Sequence, residues 1–180
     1  MIVVAVVGSK KSGKTKTVEA LVRGLTKRGY RVATAKHVSE QDFTVDTAGK
    51  DTWLHAQAGA KTIIVVAPEE LATIRKVDTR SLTLQEIVQT CENDIDVIVL
   101  EGFRSLVERE LAVLKIVAVK NVQEATSASN QFDPIIAFTG PVASSTKLRV
   151  PIVDVLTEPR KIVTIVEKHL DSFKWGSSPL

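Results

Sequence analysis

The sequence predicts an α/β domain with a mostly parallel central sheet, on three observations. Short apolar runs rich in β-branched residues alternate with segments of helical period along the 180 residues. The first run, Ile2–Val7, leads through a glycine-bearing turn straight into a helix-like segment. A second strongly apolar run, Asp96–Leu100, ends on the carboxylate of Glu101. Strands joined through helices must cross over to pair in parallel, and such sheets bind ligands beyond the carboxyl ends of their strands.

Taken in order, Ile2–Val7 reads as the first strand. Lys14–Arg28 reads as a helix, because Val18, Leu21, Val22 and Leu25 share a face and Gly29 ends it. Arg31–Lys36 is a second strand, and His37 to Gly49 has no period and reads as a loop. Asp51–Ala58 is a short helix closed by Gly59. Thr62–Ala67 is a β-branched run that predicts a strand buried on both faces. A short strand is read near Ala72–Lys76. Thr83–Cys91 is a helix opened by a capping-box pair, Thr83 and Glu86. Strands follow at Asp96–Leu100, Leu111–Val119, Ile135–Phe138 and Ile152–Val155, with a short helix at Asn121–Ser127 between the second and third of these. Thr157 and Pro159 open a closing helix that runs to about Leu170. The expectation is one domain over residues 1–172, with 173–180 a frayed tail whose Trp175 is either an anchor to the body, the favoured reading, or a partner contact.

With 44% hydrophobic and 25% charged residues the composition is globular. The net charge of +3, with few aromatics and no long basic run, gives nucleic-acid binding little support. Cys91 stands alone, so neither an internal disulfide nor a cysteine metal site is expected. No apolar run approaches a membrane span and no signal peptide is evident, so the expectation is a soluble cytoplasmic protein without a membrane partner.

Gly8-Ser9-Lys10-Lys11-Ser12-Gly13-Lys14-Thr15 matches the phosphate-binding loop G-x-x-x-x-G-K-[ST]. Glycines allow the backbone to turn its N–H groups inward around a phosphate, and the following helix adds unpaired N–H groups and its dipole. Lys14 is assigned the β- and γ-phosphates and Thr15 a Mg²⁺ ion. The fold expectation sharpens accordingly to a P-loop NTPase-like three-layer domain. Lys10, Lys11 and Lys16 add positive charge here, and either hold phosphate or are simply solvated; Thr17 completes the candidate loop segment.

Glu101, ending an apolar strand, is the candidate second ligand for Mg²⁺, while Asp96 at the other end reads as a solvated start. Asp46 and Asp51 lie in the polar loop after the second strand, where either could hold Mg²⁺ or orient an attacking water. Asp51 could equally cap the helix it precedes. Lys36 and His37 sit at a strand end, where ligands bind in such sheets, and His37 is equally open to a structural role. His55 and His169 receive no role, and His37, His55 and Cys91 lack metal-ligand spacing.

Together these residues resemble the MobB family, the molybdopterin-guanine dinucleotide biosynthesis protein B. The segments carrying the resemblance are the P-loop, Lys36-His37, Asp46-Thr-Ala-Gly-Lys-Asp51-Thr52, Ala58-Gly59-Ala60, Glu101-Gly102-Phe103-Arg104 and Lys115-Ile116. The resemblance implies a GTP-binding homodimer with weak Mg²⁺-dependent GTPase activity. It implies work beside the guanylyltransferase that joins GMP to molybdopterin, with molybdopterin itself a candidate ligand. Carried over by motif, Gly13, Lys14 and Thr15 hold phosphates and Mg²⁺, and Asp46, Asp51 and Glu101 line the metal side. Lys36, His37 and Arg104 then face the cleft. The chain departs from the family pattern at Ser39, Glu40 and Gln41, where histidines are common, and at Lys16, where a second Thr is usual. It also lacks the frequent Arg before Ala58-Gly59-Ala60.

The residues alone do not choose between GTP and ATP, since the guanine-specifying Asn-Lys-x-Asp motif is absent. Two other classes stay open on sequence. A P-loop small-molecule kinase or ATP-dependent ligase would need a lid and an acceptor pocket; a nucleotide-gated metal chaperone would need a His or Cys cluster.

Overall fold

The computed structural model describes residues 1–91, 94–141, 148–170, 172, 173 and 175. The elements are β1 (Ile2–Gly8), α1 (Lys14–Lys27), β2 (Val32–Lys36), α2 (Asp51–Gln57), β3 (Thr62–Ala67), β4 (Glu70–Arg75) and α3 (Leu84–Gln89). They continue with β5 (Val97–Glu101), α4 (Arg104–Val107), β6 (Val113–Ala118), α5 (Val122–Gln131), β7 (Ile135–Thr139), β8 (Ile152–Val153) and α6 (Pro159–Glu167). The chain forms two compact units, residues 1–37 with 83–180, and residues 38–82.

The larger unit is built on a six-stranded sheet in the order β2-β5-β1-β6-β7-β8, every described pair parallel. β1 is nearly all apolar because both its faces are covered. Ile2, Val4 and Val6 point into one core with Leu21, Leu25, Ile162 and Val166, the buried stripes of α1 and α6. Val3, Ala5 and Val7 point into the other with Leu84 and Val88 of α3 and Ala125 of α5. The two-residue alternation of the strand thus makes three layers from one segment. The strand order reverses at β1, with β5 on one side and β6 on the other, which opens a crevice beyond the end of β1.

Local chemistry sets several boundaries. Thr83 caps α3 by accepting from the Glu86 N–H, and the Glu86 carboxylate accepts from the Thr83 N–H, as the sequence predicts. Asn121 caps α5 by accepting from the Glu124 N–H, and that helix runs to Gln131, past the Ser127 expected. α4 was not foreseen; it starts after Phe103, which takes a left-handed φ of 54°. Asp96 is not merely solvated, since its carboxylate takes three hydrogen bonds from Arg31, which hold it below the usual carboxylate range. Phe173 packs on the first core and Trp175 on the second, where the Trp175 N–H donates to the Met1 carbonyl at 3.1 Å. The remaining tail positions, 174 and 176–180, lie outside the described residues.

The smaller unit corrects one expectation. β3 is not a doubly buried strand: it pairs antiparallel with β4 across the turn at Pro68-Glu69, and only Ile63 of the strand is buried. A β-branched run shows strand propensity but does not show which surface will cover it.

Candidate functional site

The P-loop joins β1 to α1 at the crevice. Gly8 has φ 150°, and a Cβ there would lie 2.2 Å from the Ala118 carbonyl oxygen, so glycine is required where β1 meets β6. Gly13, at φ 97°, is the N-cap of α1 and has no side chain to cap with, so the first N–H groups of the helix face the loop unsatisfied by a cap. Lys11 also takes a left-handed φ, 61°.

Lys14 Nζ donates to the Gly8 carbonyl at 3.1 Å and to the Ser9 carbonyl at 2.7 Å, which folds the side chain across the loop. Partial burial lowers its pKa, Glu101 opposes this, and Lys120 and Lys36 add to it. The Thr15 hydroxyl donates to Glu101 Oε1 at 2.9 Å. Pairing of β1 with β5 sets Glu101 opposite Val6, and pairing of β2 with β5 sets it opposite Lys36, whose Nζ lies 3.6 Å from the same oxygen. Lys14, Thr15, Lys36 and Glu101 therefore converge at one end of the sheet. Lys10 is exposed, as are the side chains of Lys11 and Lys16.

Other candidates are placed differently. The Lys16 ammonium pairs with Glu19 at 3.0 Å on the outer side of α1. Thr17 is buried, its hydroxyl 3.2 Å from the Gly13 carbonyl and 3.0 Å from the Thr139 hydroxyl, so it braces the loop from beneath. Ser12 Oγ is buried without a hydrogen-bond partner among the described residues. The His37 N–H donates to the Glu101 carbonyl, and its ring lies 5.5 Å from that of Phe103. His37 Cβ fills the space beside Gly102, so this histidine shapes the turn after β5.

Arg104 lies 5.2 Å over the Phe132 ring and donates to Gln131. It also lines a cavity of about 310 Å³ with Gly8, Ser9, Asn121 and Glu124. Glu124 is the residue the sequence reading missed. Its carboxylate accepts from the Ser9 hydroxyl at 3.1 Å and from the Lys120 N–H at 2.9 Å, contacts that lower its pKa. The signal was present: Asn121 and Glu124 have the spacing of a capped helix start.

Asp46 and Asp51 belong to the smaller unit. Asp46 Oδ1 accepts from the Thr47 N–H and the Thr52 hydroxyl, each at 2.8 Å, while Oδ2 is buried without a partner among the described residues. Asp51 does not cap α2. Lys50 holds the N-cap position, and Asp51 is the first helical residue, where its charge suits the helix dipole.

Two hard oxygen donors at 2.9 Å, Thr15 and Glu101, suit Mg²⁺ when phosphate and water oxygens complete the shell. No cluster of three or more His, Cys, Asp or Glu able to hold a metal occurs among the described residues. No helix among them is long and apolar enough to cross a membrane.

The chain resembles known proteins over this site and beyond it. It is 31% identical over 100 residues to the molybdopterin-guanine dinucleotide biosynthesis adapter protein of Haemophilus influenzae, covering 55% of each chain. It is 33% identical over 95 residues to the protein of the same name from Escherichia coli, covering 52% of this chain and 54% of that one. These matches thus span about half the length of the curated relatives. The crystal structure of Bacillus subtilis MobB superposes with a TM-score of 0.71 at 21% identity, over 93% of this chain and 98% of that one, and shares the fold. Residues 3–140, from β1 through the end of β7, match the model of the family described as Molybdopterin guanine dinucleotide synthesis protein B, and the chain belongs to that family, MobB.

Proposed function

We propose that this protein is a GTP-binding adapter of molybdopterin guanine dinucleotide biosynthesis, with weak Mg²⁺-dependent GTPase activity. The observation that carries the reading is the convergence of Lys14, Thr15 and Glu101 on a glycine-framed loop at the switch point of the sheet. In this reading Lys14 Nζ exchanges the Gly8 and Ser9 carbonyls for the β- and γ-phosphate oxygens. Backbone N–H groups from Ser9 to Lys14 line the anion, and the buried Ser12 hydroxyl supplies a further donor. Thr15 and Glu101 hold Mg²⁺, which neutralises charge on the phosphates when bound. Lys36 adds positive charge beside Glu101, and Glu124 fixes the Ser9 end of the loop. The preference for guanine rests on the family resemblance.

Calorimetric titration with non-hydrolysable GTP and ATP analogues in Mg²⁺ tests this. GTP is expected to bind more tightly than ATP, and Lys14→Ala to lose both while keeping its circular dichroism spectrum. Equal affinities would remove the guanine assignment, and unchanged binding in Lys14→Ala would remove the site. Glu101→Gln is expected to slow hydrolysis more than it weakens binding; untouched hydrolysis would leave Glu101 only the end of a strand.

The adapter role calls for partners, and the guanylyltransferase is the enzyme this reading places beside the protein, in the cytoplasm. Molybdopterin is its proposed second ligand. A homodimer is also proposed, formed through the β3–β4 hairpin. Ile64, Val66 and Leu71 there are 62%, 79% and 70% exposed, and a two-stranded ribbon gains stability by packing on a further surface. Sedimentation of wild type and Ile64→Glu checks it, with a dimer expected for the first and a monomer for the second.

A further inference from the structure

A second concavity lies between α1 and α6, with a volume of about 470 Å³. Its walls carry five cations, Lys16, Arg23, Lys27, Arg28 and Arg160, against the single carboxylate of Glu19. Its floor is apolar, and the two helices meet closely at Gly24, where a Cβ would lie 2.3 Å from Val163 Cγ2. Pro159 and Leu156 continue that floor at one end, and Leu156 is 74% exposed. An exposed apolar side chain and a row of cations thus share one concave face.

The charges are only partly met within the chain. Glu19 is shared by Lys16 at 3.0 Å and Arg23 at 2.8 Å, and Arg28 pairs with Glu167. Lys27 and Arg160 have no ion-pair partner among the described residues. From Lys16 to Lys27 the row follows α1 for ~16 Å at the helical rise per residue. A single phosphate or diphosphate touches only part of such a row, whereas a peptide segment can follow all of it. The groove's own excess of cations disfavours pairing with the same face of a second copy and favours an acidic occupant.

We infer that the α1–α6 groove docks an acidic, amphipathic segment of a partner protein, with carboxylates along the Arg23, Lys27 and Arg160 row and an apolar side chain seated by Leu156 and Val163. The groove is separate from the phosphate contacts of Lys14 and Thr15, although Lys16 at its end directly follows Thr15 in sequence. The inference does not rest on the nucleotide reading.

The probe is a fluorescent helical peptide of about 14 residues, ~21 Å long, with Glu at i, i+4 spacing beside a Leu stripe. Fluorescence anisotropy with the whole protein is expected to show binding that weakens as salt rises from about 0.05 to 0.3 M. The same peptide with Gln for each Glu should bind about tenfold or more weakly. Arg23→Glu with Lys27→Glu should weaken the acidic peptide by a similar factor, and so should Leu156→Asp, which leaves the cations in place. All variants should keep wild-type GTP affinity and melting behaviour, so failure of docking and failure of the nucleotide site read out separately. Equal binding of the Glu and Gln peptides, or no effect of either variant, overturns the inference. So does single-stranded DNA of the same charge binding as tightly, or a groove variant changing the oligomeric state.

Discussion

Gly8 takes φ 150°, and a Cβ there would lie 2.2 Å from the Ala118 carbonyl oxygen, so no side chain fits. Gly8→Ala should destabilise the protein by about 2–3 kcal/mol in urea denaturation and weaken nucleotide binding as well, because the strain falls on the loop itself. Lys115 offers a separate test. It is fully buried on β6, its ammonium donates to the Glu110 and Asp133 carbonyls, and burial lowers its pKa to about 8. The folded state then gives up this proton near pH 8, whereas the unfolded chain holds it to about 10.4. Between those values the unfolded chain binds more protons, so Lys115 makes stability rise with pH across that window. Its cost is full below pH 8. The unfolding free energy of wild type minus that of Lys115→Met, measured from pH 8 to 10, should increase; a flat difference would mean that Lys115 is not desolvated. At this scale the meeting of Lys14, Thr15 and Glu101 was legible, because the loop motif and the strand-end carboxylate are both marked by local sequence. Thr17 was read only as part of the loop, and Glu124 only offered a helix-start spacing; their contacts with Thr139 and Ser9 join residues 122 and 115 positions apart and were not legible.

Among the elements, α3 is the one whose start the sequence marks by mechanism. Thr83→Ala removes the side-chain acceptor of the Glu86 N–H while leaving the Thr83 backbone N–H bond to the Glu86 carboxylate available, and should cost about 1 kcal/mol in denaturant midpoint experiments. Replacing Glu86 with Gln keeps the bond and should cost less. β3 shows the opposite case. Its β-branched run predicts a strand correctly, but its partner is β4 of the same ribbon and not the parallel sheet. Propensity reports that a segment suits a pleated backbone, and the pairing partner is chosen by connections and packing that no local window contains. α4 was illegible because it is a single turn set by the left-handed Phe103.

At the scale of the molecule, stability should be unevenly spread. The sheet strands β1, β5 and β6 are buried on both faces, whereas residues 38–82 hold a short helix and a ribbon with mostly exposed side chains. Amide hydrogen exchange should therefore be slowest in β1, β5 and β6 and much faster in β3 and β4. Uniform protection over both units would contradict that picture. Ligand linkage is the second whole-molecule test. At a hundredfold excess of GTP over its Kd, unfolding should cost about 2.7 kcal/mol more, and this gain should vanish in Lys14→Ala.

The sequence by itself determined the alternation of strands and helices, the phosphate loop, and the strand ending on Glu101, because period and local backbone chemistry are written in neighbouring residues. The family was legible there too, through short segments such as Gly49-Lys50-Asp51 and Glu101-Gly102-Phe103. Only the tertiary structure decided the strand order that sets Glu101 beside Thr15 and Lys36, the bracing of the loop by Glu124 and Thr139, and the basic groove between α1 and α6. Those features join residues far apart in the chain, and distance in sequence conceals them until burial of the apolar faces brings the elements together.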